Sequence, residues 1–110
     1  MKATVEIEAG ICGFRTTASV ASPDDQNVSF AVQTDCEKVR QLGDLLSVQG
    51  PFDAFQEIGT LPGSAVMQAA RSVLTGCCAG CAVPVGLFKA MQVAAGLALP
   101  NDVLIRLTRE

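Results

Sequence analysis

The chain has no histidine, no tryptophan and no tyrosine among its 110 residues. Without histidine, neither a Ser-His-Asp nor a Cys-His mechanism can be assembled within it. Any metal it holds must take thiolate, carboxylate or backbone ligands. Charge is also scarce. Asp, Glu, Lys and Arg together make 17% of the residues, the net charge is −3, and no basic stretch is clustered. A nucleic-acid partner is therefore not expected. The opening residues, MKATVEIEAG, lack the basic start and apolar block of a signal peptide. No apolar run reaches membrane-spanning length without interruption. Residues 82–99 come nearest, and Pro84, Gly86, Lys89, Gln92 and Gly96 break them. There is no GxxxxGK phosphate loop, internal repeat, low-complexity segment or linker. The expectation is a cytoplasmic protein without nucleic-acid or membrane partners.

What is present is a hydrophobic fraction of 49%, enough for one domain over residues 1–110 with its own core. Residues 3–8, ATVEIE, place Val5 and Ile7 on one face and Glu6 and Glu8 on the other, the alternation of a half-buried strand. Gly10 to Gly13 reads as a tight turn. Phe14, Thr16, Ala18 and Val20 alternate in a second strand, and Ser22-Pro23-Asp24-Asp25 turns the chain. Val28, Phe30 and Val32 give a third. Thr34-Asp35-Cys36-Glu37 fits a capping box with Thr34 as N-cap. The helix after it carries Val39, Leu42 and Leu46 at helical spacing and stops at Gly50-Pro51. Residues 51–63 read as an irregular loop with Phe52, Phe55 and Ile58 tucked onto the core. Ser64 caps a second helix that Gly76 closes. Pro84 opens a third, which runs to about Gly96. Val103, Ile105 and Leu107 alternate as a last strand. The fold class is α+β, βββαααβ: a three-stranded antiparallel meander, three helices and a C-terminal strand joining the sheet.

Three of the five cysteines fall in the stretch GCCAGCAVP, residues 76–84. Cys78-Ala79-Gly80-Cys81 is a C-x-x-C, the spacing that lets two sulfurs reach one metal. Cys36 lies at the start of the first helix and Cys12 sits at a glycine-flanked turn. Helix starts favour thiolate, the form that binds metal. The expected metal ligands are Cys12, Cys36, Cys78 and Cys81, holding zinc or an iron–sulfur cluster. Cys77 is then a spare or a replacement for Cys78. The bland alternative is packing, since cysteine is among the most buried residue types. The other chemical alternative is a redox dithiol of Cys78 and Cys81. That arrangement usually follows a strand in a βαβ unit, and no such unit is present.

The helix at 84–97 is apolar nearly all round, with Val85, Leu87, Phe88, Met91, Val93 and Leu97. A surface helix shows a wide polar face. The expectation is a homodimer through this helix, with Met91 in the contact. The alternative is a core helix covered by its own chain, with Lys89 reaching solvent.

Cys12-Gly13-Phe14, Asp35-Cys36-Glu37, Cys81-Ala82-Val83-Pro84 and Gly96-Leu97-Ala98-Leu99-Pro100 resemble an uncharacterised family of small cysteine-containing proteins of anaerobic bacteria and archaea. The resemblance spans nearly the whole chain. It implies histidine at position 78, in H-x-x-C-x-V-P, where this chain has Cys78. Either residue is a zinc ligand. An anaerobic setting would suit an iron–sulfur cluster by association. The layout is also loosely similar to the TSCPD domain of ribonucleotide reductase tails, which implies a metal-binding or redox-partner module.

Together these readings give a small metal- or iron–sulfur-binding protein without catalysis of its own, serving a redox or metalloprotein partner. The alternatives are a thiol–disulfide redox protein and a metal-free dimeric interaction module.

Overall fold

The computed structural model describes residues 1–110. Strands β1 (Lys2–Glu8), β2 (Arg15–Ala21) and β3 (Asn27–Thr34) form the antiparallel meander that the alternation requires. The register pairs Val5 with Ala18, Ala18 with Val32, and Val20 with Phe30, so the apolar side chains share one face. On the opposite face Arg15 spans β1, 2.7 Å from Glu8 and 3.7 Å from Glu6. Gly10 and Gly13 both adopt positive φ, which only glycine takes without strain, and Gly13 N–H donates to the Gly10 carbonyl at 2.9 Å. Thr16 is a polar member of the buried face. Its hydroxyl is satisfied 2.9 Å from that of Thr34 on the neighbouring strand.

Helix α1 (Glu37–Gln49) lays Val39, Leu42 and Leu46 against β3. Its start corrects the expected capping box. Cys36, not Thr34, is the N-cap, and no side chain caps from that position. The Thr34 hydroxyl instead accepts from Cys36 N–H at 3.1 Å, and Glu37 turns outward to Arg40 at 3.0 Å.

The stretch after α1 is more regular than expected. β4 (Phe52–Asp53) pairs with β3 as the fourth strand of the sheet, in the order β1-β2-β3-β4. Phe52 is buried edge-on to Phe30, with ring centroids 5.8 Å apart. The Asp53 carboxylate accepts from Phe55 and Gln56 N–H and so starts the short α2 (Ala54–Glu57). That turn swings Phe55 and Ile58 out to solvent rather than onto the core. α3 (Ala65–Val73) begins at Ser64 as the sequence indicates, with Met67 N–H donating to the Ser64 hydroxyl at 3.0 Å. Beneath it the buried Glu57 carboxylate accepts from Ser64 Oγ at 2.7 Å and from Ala65 and Val66 N–H at 2.9 Å.

A 3-10 turn at Gly76–Gly80 leads into α4 (Val83–Ala94), with Pro84 in the first turn. The fold therefore has four helices where three were expected. α4 lies on β1 and β2, and Gly86 permits the approach: a Cβ there would stand 2.5 Å from Ile7 Cδ1. Val83, Leu87, Ala90, Met91 and Ala94 face the core. Met91 is 0% exposed, so it belongs to the chain's own core. The outward strip is Val85, half-buried Phe88, Lys89 and half-buried Gln92. Residues 76–94 are long and apolar enough to cross a membrane by length and composition alone, and in the fold one face of that stretch is packed on the sheet.

The C-terminal strand is the larger correction. Residues 97–110 contain no strand or helix, and Val103, Leu104, Ile105 and Leu107 are 55–93% exposed. Alternation supplies one apolar face, but a strand is held only when a neighbour takes its backbone hydrogen bonds and a layer covers that face. The fourth place in the sheet goes to β4, at the opposite edge from β1.

Candidate functional site

The cysteines come from three separate parts of the fold. Cys12 is exposed at the β1–β2 turn, beside a shallow groove lined by Gly10, Gly13 and Phe14. Cys36 is half-buried at the start of α1 and packs against the core. Cys78 and Cys81 are half-buried at and just beyond the 3-10 turn, also against the core. Cys77 is exposed.

Local hydrogen bonds explain these positions. Gly76 takes positive φ and lets the chain leave α3 sharply. Cys78 N–H then donates to Thr75 O at 3.2 Å, and Cys81 N–H donates to Cys78 O at 3.1 Å. This curls the C-x-x-C so that both thiols fall on its inner side, with Cys77 outside. Lys38 in the first turn of α1 donates to Thr75 O at 3.3 Å and ties the Cys36 end of that helix to the segment that carries Cys78 and Cys81. The Lys38 contact was not foreseen. Nothing in a lone lysine of the sequence marks it.

Electrostatics shows how these segments relate. The Cys81 thiol is raised above its ordinary pKa, first by burial, against an opposing pull from Val83 N–H. The further causes are the charges of Cys12, Cys36 and Cys78. Cys12 of the β1–β2 turn, Cys36 at the start of α1 and Cys78 of the 3-10 turn therefore lie within range of a charge on Cys81. Cys77 does not act on Cys81, although it is next to Cys78 in the chain. The sulfurs are neighbours rather than a closed cage. No three Cys, Asp or Glu side chains stand together closely enough to hold a metal ion as placed. Metal–sulfur bonds of about 2.3 Å need the thiols to turn inward.

Chemically, this is a set of soft donors, three half-buried near two helix starts and one exposed at the β1–β2 turn, whose anions would repel. Burial and mutual repulsion hold Cys81 as a thiol, which makes it a poor nucleophile at neutral pH. A bound cation would relieve both.

No curated protein and no solved structure matches the chain. A family model does match, over residues 3–107, a span that takes in all five cysteines and the apolar residues of the C-terminal segment. The chain thus belongs to a family of unknown function, DUF6951.

Proposed function

We propose that this chain is a small metal- or iron–sulfur-binding protein that holds its group through the thiolates of Cys12, Cys36, Cys78 and Cys81, without catalysis of its own. The observation that carries the reading is the charge coupling at Cys81. Cys12 and Cys36, from distant parts of the sequence, act on that sulfur together with Cys78 of the same turn, and Cys77 does not. Burial alone would scatter cysteines through the core, with no reason to bring the exposed Cys12 turn toward the other three. Thiolate ligands select zinc or iron–sulfur clusters. The similarity of the layout to the TSCPD domain points the same way, toward a module that supplies a bound metal or electrons to a redox or metalloprotein partner.

The dithiol reading is weaker. A redox C-x-x-C usually follows a strand in a βαβ unit, and here it follows α3 and sits at a 3-10 turn. Anaerobic purification followed by metal analysis and an absorption spectrum tests the proposal. Broad visible absorption with iron and sulfide, or about one zinc per chain, supports it. A metal-free protein that takes up neither zinc nor a cluster, and instead forms a reversible Cys78–Cys81 disulfide, contradicts it.

A further inference from the structure

The C-terminal segment and the outer edge of the sheet are two unsatisfied features that match each other. β1 pairs with β2 alone, so its other edge offers free backbone donors and acceptors along Lys2–Glu8. Such an edge is a template for another strand. The segment at 103–107 has the composition of one. Val103, Ile105 and Leu107 alternate with Leu104 and Arg106, and every large apolar member is exposed. No backbone hydrogen bond ties the chain beyond Leu97 to the rest of the fold, and the molecule is drawn out to 44 Å in one direction against 27 Å in the others. The family match runs to residue 107, so this segment is part of the shared domain.

We propose that residues 103–107 pair with the free β1 edge of a second copy of this chain, in a reciprocal two-fold exchange. An added strand with Val103, Ile105 and Leu107 on the core side continues the apolar face of Val5 and Ile7. Arg106 then lies on the side of Glu6 and Glu8, both well exposed, and the signs are complementary. The segment stands away from its own body, so a second copy meets both halves of the contact at once. Two equivalent pairings close the dimer and leave neither copy's β1 edge unpaired.

The experiment uses full-length protein, wild type and Ile105→Asp. Ile105 is 63% exposed, so the substitution leaves the core untouched. Sedimentation gives the mass, and amide hydrogen exchange reads β1. The expected result is a wild-type dimer whose mass halves in the variant, with β1 amides exchanging at least about tenfold faster. A wild type that is monomeric with β1 unprotected overturns the proposal. So does a monomer with β1 protected, which would mean that the segment folds back on its own sheet. A dimer that Ile105→Asp leaves intact overturns it too, and would place the contact on the outward strip of α4.

Discussion

Cys36 and Cys81, far apart in sequence, lie within reach of each other's charge, and Cys81 is the more deeply protonated for it. Burial is the larger cause of the shift and the other cysteines add to it. In metal-free protein at neutral pH, the thiols should therefore differ in reactivity. Exposed Cys77 and Cys12 should be alkylated first and Cys81 last, by about tenfold or more. Timed iodoacetamide labelling with peptide mass spectrometry gives the order. Cys81 reacting first would contradict its upward shift, and Cys78 reacting ahead of exposed Cys77 and Cys12 would favour the redox reading.

Glu57 is 5% exposed and accepts three hydrogen bonds at the start of α3. Glu57→Ala leaves Ala65 and Val66 N–H and the Ser64 hydroxyl short of their acceptor. The expected loss is about 2–3 kcal/mol, since charge-assisted bonds are removed and the Val66 N–H stays buried without an acceptor. Glu57→Gln keeps one acceptor oxygen and should lose roughly half as much. Urea denaturation midpoints read both.

Gly86 and Ile7 set how closely α4 approaches β1. In Gly86→Ala the new Cβ meets Ile7 Cδ1 at 2.5 Å and Cγ1 at 2.7 Å. Overpacking of this kind costs about 1–3 kcal/mol, against about 1 kcal/mol gained in helix propensity. The net effect should be destabilising. In an Ile7→Ala background the new Cβ keeps only an ordinary contact with Val5 Cγ2 at 3.6 Å, and the same change should stabilise. A double-mutant cycle would show the change of sign, and additive effects would contradict the close approach.

Asp24 organises the β2–β3 turn. Its carboxylate is held at a pKa of about 2 by the Asn27 side chain, then by the Asn27 and Gln26 backbone N–H groups. The folded state favours the ionised form, so this contribution is fully present above pH about 4, the unfolded carboxylate value, and is lost as pH falls through about 2. Asn27→Ala should move the Asp24 titration, followed by NMR, upward toward the ordinary aspartate range. An unchanged titration would remove the Asn27 amide as the leading cause.

The elements that were legible in the sequence are those whose burial repeats. Val39, Leu42 and Leu46, or Thr16, Ala18 and Val20, lie on one covered face each, and the period records it. What could not be read depends on a single contact or on a missing neighbour. β4 rests on Phe52 meeting Phe30, and α2 on the Asp53 carboxylate, and neither leaves a periodic trace. The side of α4 that Met91 occupies could not be read because the helix is apolar all round, and only its seat on the sheet decides which side is inside. Residues 103–107 show the reverse case: the pattern of a strand is there, but no partner within the chain takes it. At the site, the C-x-x-C announced itself. The approach of Cys12 and Cys36 to Cys81 depends on the whole packing of α1 and α4 against the meander.

The most direct measurement is metal per chain, after anaerobic purification, for wild type and for Cys36→Ser, Cys81→Ser and Cys77→Ser made and handled identically. The account predicts a filled wild type, a loss of most bound metal in Cys36→Ser and Cys81→Ser, and an unchanged content in Cys77→Ser. Full metal content in Cys36→Ser, or a wild type that is empty and stays empty after reconstitution with zinc or with iron and sulfide, would contradict it.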